Sequence, residues 1–361
     1  MTNVPALQAL QMKKYLPNIL LCDRPGAGVL AALLRCLPLR FAAVAAAALL
    51  FAGGANAQND AQFTQYFEVP SYYNAGAIGT SDLLRIRAGA RLQWVGIHGA
   101  PKTFMGTADM PFKLFRKRFG VGLVIQQESL GLYKNMNIGA QVAYKQKLFK
   151  GVLSIGAQIG FVDQSFKGSE VYIPDQDDYH QPDDEAIPKQ DIRGNALDVS
   201  AGLFYSHPKF WVGVSGTHLN APAIRLNAES GENSTEKNYE FLVGRTLYFM
   251  AGSNIKIKNT LFEVLPSALV KTDFTFTTWE ATLRGRYNKF ITAGVGYRWK
   301  EAVYAIVQGE FKGFLLGVSY DYPVSDISLA SSGSFEFFIG YSLKLNLGEK
   351  NRHKHRSVRI F

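Results

Sequence analysis

Between Leu83 and Asn346 the chain repeats one pattern: about ten residues in which apolar and polar side chains alternate, a turn, then another such run. A period of two puts successive side chains on opposite faces of a strand, so every run has one apolar and one polar face. From Leu153, one face reads Leu153, Ile155, Ala157, Ile159 and Phe161, and the other Ser154, Gly156, Gln158 and Gly160. From Ile291 the apolar face ends in Tyr297 and Trp299, and near the end of the pattern Phe335, Phe337, Ile339 and Tyr341 oppose Glu336, Gly340 and Ser342. About fourteen runs begin near Leu83, Thr103, Phe119, Asn137, Gly151, Ala196, Phe210, Tyr239, Leu261, Phe274, Lys289, Ala302, Gly313 and Ser334. Each is near the length a tilted strand needs to cross a bilayer, and the aromatics sit where an interfacial girdle would lie.

The connections sort by parity. The second, fourth, sixth, tenth and twelfth are short and often join Lys to Phe, as at Phe149, Pro208, Asn288 and Phe311. The long ones are odd: 164–194 after the fifth run, 219–238 after the seventh and 322–333 before the last. Short turns on one side and long loops on the other are the asymmetry of outer-membrane barrels, and a soluble sandwich has no reason to show it. A propeller would need a repeat of about 40 to 50 residues, which is absent. Mean hydropathy near zero in a chain of 34 Gly, 17 Tyr and 25 Phe fits outward apolar and inward polar residues. Beyond the first 57 residues no apolar run is long enough for a transmembrane helix. The pattern predicts an all-β fold: a transmembrane antiparallel β-barrel of about 14 strands over 83–346, with short periplasmic turns and longer extracellular loops.

Residues 1–57 read as an export signal: Lys13, Lys14, Arg24, Arg35 and Arg40, an apolar stretch from Phe41 to Ala52, then Ala55-Asn56-Ala57 before Gln58. Met12 before Lys13 is an equally good start. Both cysteines, Cys22 and Cys36, fall in the part to be removed, so no thiol chemistry is expected of the mature chain. Cleavage also takes away five Lys/Arg and one Asp, and the net charge of +10 falls to about +6. The charges are spread rather than striped, which excludes a nucleic-acid partner.

With the apolar faces on lipid, the lumen receives Arg85, Arg87, Arg91, Glu280, Arg284 and Arg298, together with Gln93, Asp198, Arg286, Glu310, Asp321, Glu336 and Lys344. Neighbouring Arg and Glu are expected to pair, because a buried charge is costly alone. The first run, with Arg85, Arg87 and Arg91 against no acid of its own, is the best candidate for an unpaired cationic wall. The acidic run 174–185 could hold Ca²⁺, but it lacks the glycine and terminal glutamate of an EF-hand loop and reads better as a solvated loop. His353 and His355 in the basic tail 347–361 make a weak metal pair. No catalytic motif, metal site or cofactor is expected, and His207 and His218 lie near opposite ends of the seventh run. Outer-membrane lipid is the expected surrounding.

The segment 58–82 alternates aromatic and amide residues, too apolar for a solvated linker. Its sequence "NDAQFTQYFEVPSYYNAGAIGTSD" resembles the N-terminal signature of the PorP/SprF family, D-P-x-F-S-Q-Y followed by P-x-x-x-N-P-A-x-A-G. The matches are Gln62, Phe63, Gln65, Tyr66, Pro70, Tyr73, Asn74 and Gly79; Ala61 replaces proline, and Ala75 with Gly76 replaces Pro-Ala, which predicts a looser turn. A second stretch, Arg91 to Pro111, is similar to the family's Q-W-x-G-x-x-G-A-P-x-T through Gln93, Trp94, Gly96, Gly99, Ala100, Pro101 and Thr103. The resemblance implies a non-enzymatic outer-membrane component of the type IX protein secretion and gliding machinery of Bacteroidota. It would dock a secreted surface protein or adhesin to other secretion components, such as periplasmic ring or peptidoglycan-associated proteins. On that reading Gln62, Phe63, Gln65, Tyr66, Tyr72, Tyr73 and Asn74 plug the periplasmic mouth or bind a periplasmic partner. The alternative is a porin or small-solute channel, which would keep an open polar lumen.

Overall fold

The structure, a computed structural model, describes residues 60–115, 117–171, 188–228 and 239–345. The export signal with both cysteines, the acidic run 174–185 and the basic tail with His353 and His355 lie outside the described residues.

The strands follow the alternating runs. In chain order they are β1 (Leu83–Leu92), β2 (Lys102–Leu114), β3 (Lys117–Leu130), β4 (Tyr133–Leu148), β5 (Gly151–Lys167), β6 (Asp191–Ser206) and β7 (Phe210–Thr217). Then come β8 (Ala223–Ala228), β9 (Tyr239–Leu242), β10 (Thr246–Ser253), β11 (Ile255–Lys256), β12 (Phe262–Thr272) and β13 (Thr277–Tyr287). The last four are β14 (Ile291–Arg298), β15 (Ala302–Phe311), β16 (Phe314–Pro323) and β17 (Ser334–Lys344). Fourteen of them pair antiparallel with their neighbours, with β10 joining β7 to β12. β1 pairs with β2 on one side and with β17 on the other, in register from Leu83↔Lys344 to Leu92↔Phe335, and so the cylinder closes. Closure gives every wall strand a neighbour on both sides, as a hydrocarbon surrounding demands; β6 meets β7 only over Ala201–Ser206, and above that it pairs with β8 at Ile192 and Arg193.

The wall is apolar outside and polar inside, the reverse of a soluble protein. On β13, Trp279 and Leu283 are exposed while Glu280, Thr282 and Arg284 are buried. At one end Trp279 stacks on Trp299 at 5.1 Å, and at the other Phe262 meets Tyr287 and Phe314 meets Tyr341, each at 4.7 Å. These are cross-strand aromatic pairs at the two rims of the apolar band, where an interfacial girdle lies.

Two departures from the sequence reading matter for the lumen. β4, β5 and β6 run 16, 17 and 16 residues rather than about ten, so on the long-connection side the wall rises past the others. The eighth run does not start in the wall at Tyr239. Tyr239–Leu242 pairs instead with β8, and the wall strand begins at Thr246. This β8–β9 hairpin, part of the seventh connection, lies on the inner face of the tall rim. There Ile224, Leu226 and Val243 pack with Val162 and Ile192. Gly194 makes the approach possible, since a Cβ there would sit 2.0 Å from the carbonyl oxygen of Arg225. Alternation alone cannot distinguish a wall strand from a strand folded onto the wall.

Candidate functional site

Among the described residues, three of the five fully buried aromatics belong to no strand; the other two, Tyr248 and Tyr304, stand on β10 and β15. Phe63, Tyr66 and Tyr73 are 0–1% exposed, and they lie on the segment that precedes β1. Short turns shape it: a 3-10 turn at Tyr66–Glu68, a single helical turn at Pro70–Tyr73 with the proline at its start, and a 3-10 turn at Ala75–Ala77. Proline suits the first helical position, where its missing N–H costs no bond. Asn74 caps the last turn, its side-chain oxygen accepting from the Gly76 amide at 2.7 Å. The looser turn expected at Ala75 and Gly76 is therefore a tight one, stapled by Asn74.

The segment threads the lumen. Its first described residue, Asp60, lies at the long-connection end, beside His218, Tyr248 and Lys271, and Asp82 reaches Arg118 at the short-turn end. Rather than stopping at the short-turn mouth, it spans the interior from one end to the other. Asn74 donates to the Leu203 and Val214 carbonyl oxygens, Ser215 donates to the Tyr73 carbonyl oxygen at 2.6 Å, and Gln141 donates to that of Ser71 at 2.8 Å. Lower down, the Gly79 amide donates to Asp109 at 2.7 Å. On the opposite wall Gln308 donates to Gln65, and the Tyr66 hydroxyl meets Ser267 and Thr282. Where β3 and β5 pass, glycine supplies the room: a Cβ on Gly156 would lie 2.3 Å from the Ala75 backbone, and one on Gly120 2.7 Å from the Ile78 carbonyl oxygen.

Two charge clusters hold the upper half. In the first, Arg91 bonds Asp321 at 2.8 Å and Glu336 at 3.1 Å, while Arg298 bonds Glu280 at 3.0 Å, Asp321 at 3.2 Å and Glu301 at 3.1 Å. Thr64 sits at the centre. Its hydroxyl donates to Asp321 and accepts from both arginines, which uses its full bonding capacity. The two carboxylate oxygens of Glu336 accept the Thr64 and Gln65 amides at 2.7 and 2.8 Å. In the second cluster His218 lies between Asp198 at 2.8 Å and Asp60 at 3.0 Å, and Asp60 also accepts from Tyr248 and Thr217. Burial opposes charging, yet the two carboxylates push His218 up to about 10. Burial likewise opposes ionisation of Asp60, but His218, Lys271 and the Tyr248 hydroxyl hold its carboxyl well below the usual carboxylate range. With both ring nitrogens committed to carboxylates, His218 has none left for base catalysis. His207, near the far end of β7, stacks on Phe210.

Arg91, Asp198, Glu280, Arg284, Arg298, Asp321 and Glu336 are buried on the inner face, while Glu310 and Lys344 are exposed at the short-turn end and Gln93 lies in the first connection. The first strand is not the unpaired cationic wall expected from the sequence. Arg85 pairs with Asp109 on β2, Arg91 with acids on β16 and β17, and Arg87 lies 3.8 Å from Glu68 of the plug. A strand with no acid of its own finds acids one and two strands away. The Arg284 guanidinium carbon lies over the Phe67 ring, 3.3 Å from its centre. Gln62, Gln65, Tyr72 and Asn74 lie with Phe63, Tyr66 and Tyr73 inside the barrel, so a partner cannot reach their buried faces while the segment is seated.

The second motif builds a clasp at the long-connection end. Gly96 and Gly99 take φ of 107° and 71°, which a side chain would strain, and Trp94 also has positive φ. Gln93 closes the loop onto Pro101, Val95 exchanges backbone bonds with Ser332 and Gly333, and Gly99 accepts from Gly131. Thr103 is buried below, facing Glu128. Asp60 and Thr64 were not singled out in the sequence, although they occupy the D and S positions of the signature.

A sequence model described as type IX secretion system membrane protein PorP/SprF matches residues 55–341. The chain belongs to the PorP/SprF family. None of the curated proteins compared matches it. Among solved structures, this PorP/SprF chain is similar to the Pseudomonas putida toluene transporter TodX, at 11% identity and TM-score 0.41 over 73% of this chain and 89% of that one. It is also similar to the Acinetobacter baumannii outer membrane protein Omp33, at 6% identity and TM-score 0.41 over 74% and 100%. The translocator domain of the Neisseria meningitidis autotransporter NalP gives 12% identity and TM-score 0.41 over 88% and 98%. Its family, together with the closed antiparallel barrel, makes the chain an outer-membrane β-barrel component of the type IX secretion system.

Proposed function

We propose that this PorP/SprF protein is a sealed, non-enzymatic docking component that couples secreted surface cargo to periplasmic parts of the secretion machinery. The observation that carries the reading is the seated plug. A segment bonded to opposite walls, with a hairpin lying on the inner rim above it, occupies the space a diffusion channel needs open. With its plug aromatics turned inward, partner contact falls to the two ends: the clasped loops on the long-connection side and the mouth around Asp82 on the other. By the loop-length rule these are the outer and periplasmic ends.

The test is capture of the tagged full chain from gently solubilised envelopes of its own bacterium, with surface display of cargo measured in the deletion strain and on complementation. Recovery of periplasmic secretion proteins, and display restored only by the complementing chain, are expected. Normal display without the chain, or a barrel that purifies alone while solute uptake falls in the deletion strain, would favour the channel reading instead.

A further inference from the structure

The short-turn end carries a ring that neither the plug nor the docking reading uses. Every one of its six turns has an exposed lysine in it or beside it: Lys117, Lys150, Lys209, Lys258, Lys289 and Lys312. None of these turns contains an acid in the sequence, and among the described residues none of the six lysines lies in ion-pair reach of a carboxylate. The opposite end differs: the connections after β12, β14 and β16 carry Asp273, Glu301 and Asp326 against Lys300.

Next to the lysines stand exposed apolar side chains. Phe115 and Phe149 are 87% and 92% exposed at the turn tips, and Phe290 and Phe311 are more than half exposed. Phe115, Phe149, Lys289 and Lys312 all have φ near +50°, the left-handed region that tight hairpin turns require and that glycine or asparagine usually fills. Bulky residues there are uncommon and point to a use beyond turning the chain. The phenylalanines also continue the apolar outer face of the wall, as Phe149 follows Leu148 and Phe311 precedes Phe314 across its turn, both of them exposed. The ring therefore sits at the boundary of the lipid-facing band.

We propose that this ring binds anionic glycerophospholipids of the periplasmic leaflet, each headgroup phosphate taken by a turn lysine while the exposed apolar side chains beside it, phenylalanine on most turns and Ile257 and Leu261 beside Lys258, sink among the outermost acyl carbons. The circumference decides between occupants. A protein partner docks on one sector or on the mouth, whereas a lysine at every turn, with phenylalanines on four of the six, matches a headgroup layer that surrounds the barrel on all sides. Lysine suits the task because its stem lies along apolar surface while its ammonium reaches the phosphate.

The experiment reconstitutes the mature full-length barrel in nanodiscs of equal phosphatidylcholine and phosphatidylglycerol. Lipid retained after detergent extraction is then quantified at low and high salt. Wild type is expected to enrich phosphatidylglycerol about fivefold over the bulk ratio, with the preference falling in high salt. Changing all six lysines to Gln should abolish the preference, and changing them to Arg should keep it, with heat-modifiable gel migration showing both variants folded. Equal retention of the two lipids by wild type overturns the proposal. So does a Gln variant that keeps its lipid preference but loses capture of periplasmic proteins, which would make the ring a protein interface.

Discussion

Replacing Phe63, Tyr66 and Tyr73 together by Ala should unseat the plug and leave the wall standing. Each side chain is fully buried, and truncating a buried Phe or Tyr costs about 3 to 5 kcal/mol. The three are not independent, because the Tyr73 hydroxyl accepts the Phe63 amide at 2.8 Å, so the total falls short of a simple sum and is on the order of 8 to 10 kcal/mol. Lost bonds from Tyr66 to Ser267 and Thr282 add little, since water entering with the plug displaced would satisfy those hydroxyls. The wall's ladder, by contrast, is made strand to strand and includes no residue of the segment. A single cysteine at buried Ser71, in a mature chain expected to have no other, supplies the assay. It should resist maleimide in the folded parent and react in the triple variant, while both keep heat-modifiable migration. A cysteine still protected in the triple variant would refute the packing argument, and loss of the folded band would mean that the wall depends on the plug.

Removing one member of the upper charge cluster should be severe. Arg298→Met leaves Glu280 without its ion pair and Asp321 with Arg91 alone, and is expected to cost about 3 to 5 kcal/mol, read as a lower unfolding temperature in detergent. Gly156→Val should obstruct the Ala75 turn and expose the Ser71 cysteine without changing the strand pairing, as judged by circular dichroism. The His218 cluster predicts a pH window. His218 is raised from its usual 6.5 to about 10, so its contribution is complete below pH 6.5 and lost as pH rises through about 10. Asp60 is lowered from 3.8, so its contribution is present above that pH and lost as pH falls below it. Protection of the Ser71 cysteine should weaken at both extremes, and His218→Gln should remove the alkaline limb; a parent profile flat up to pH 11 would contradict the assignment.

The wall was legible because alternation is a local signal, and lipid outside with polar groups inside enforces it at every strand. The plug was legible only as a segment too aromatic for water. Its partners lie far along the chain, as with Thr64 and Glu336, 272 residues apart, and no periodicity encodes such a pairing. The same limit left Arg91 looking unpaired, because its acids are on β16 and β17, which closure alone brings beside β1. Tyr239, Phe241 and Val243 alternate as a wall strand would, yet they pack with the β8 hairpin inside the rim, so period two fixes a strand's faces but not its sheet position.

The central claim is that the lumen is sealed by its own N-terminal segment. Conductance of the purified mature barrel in planar bilayers tests it most directly. Wild type should insert and stay silent, while the triple plug variant should give steady porin-like currents. Stable open-channel conductance from wild type would contradict the sealed lumen and return the protein to the channel reading.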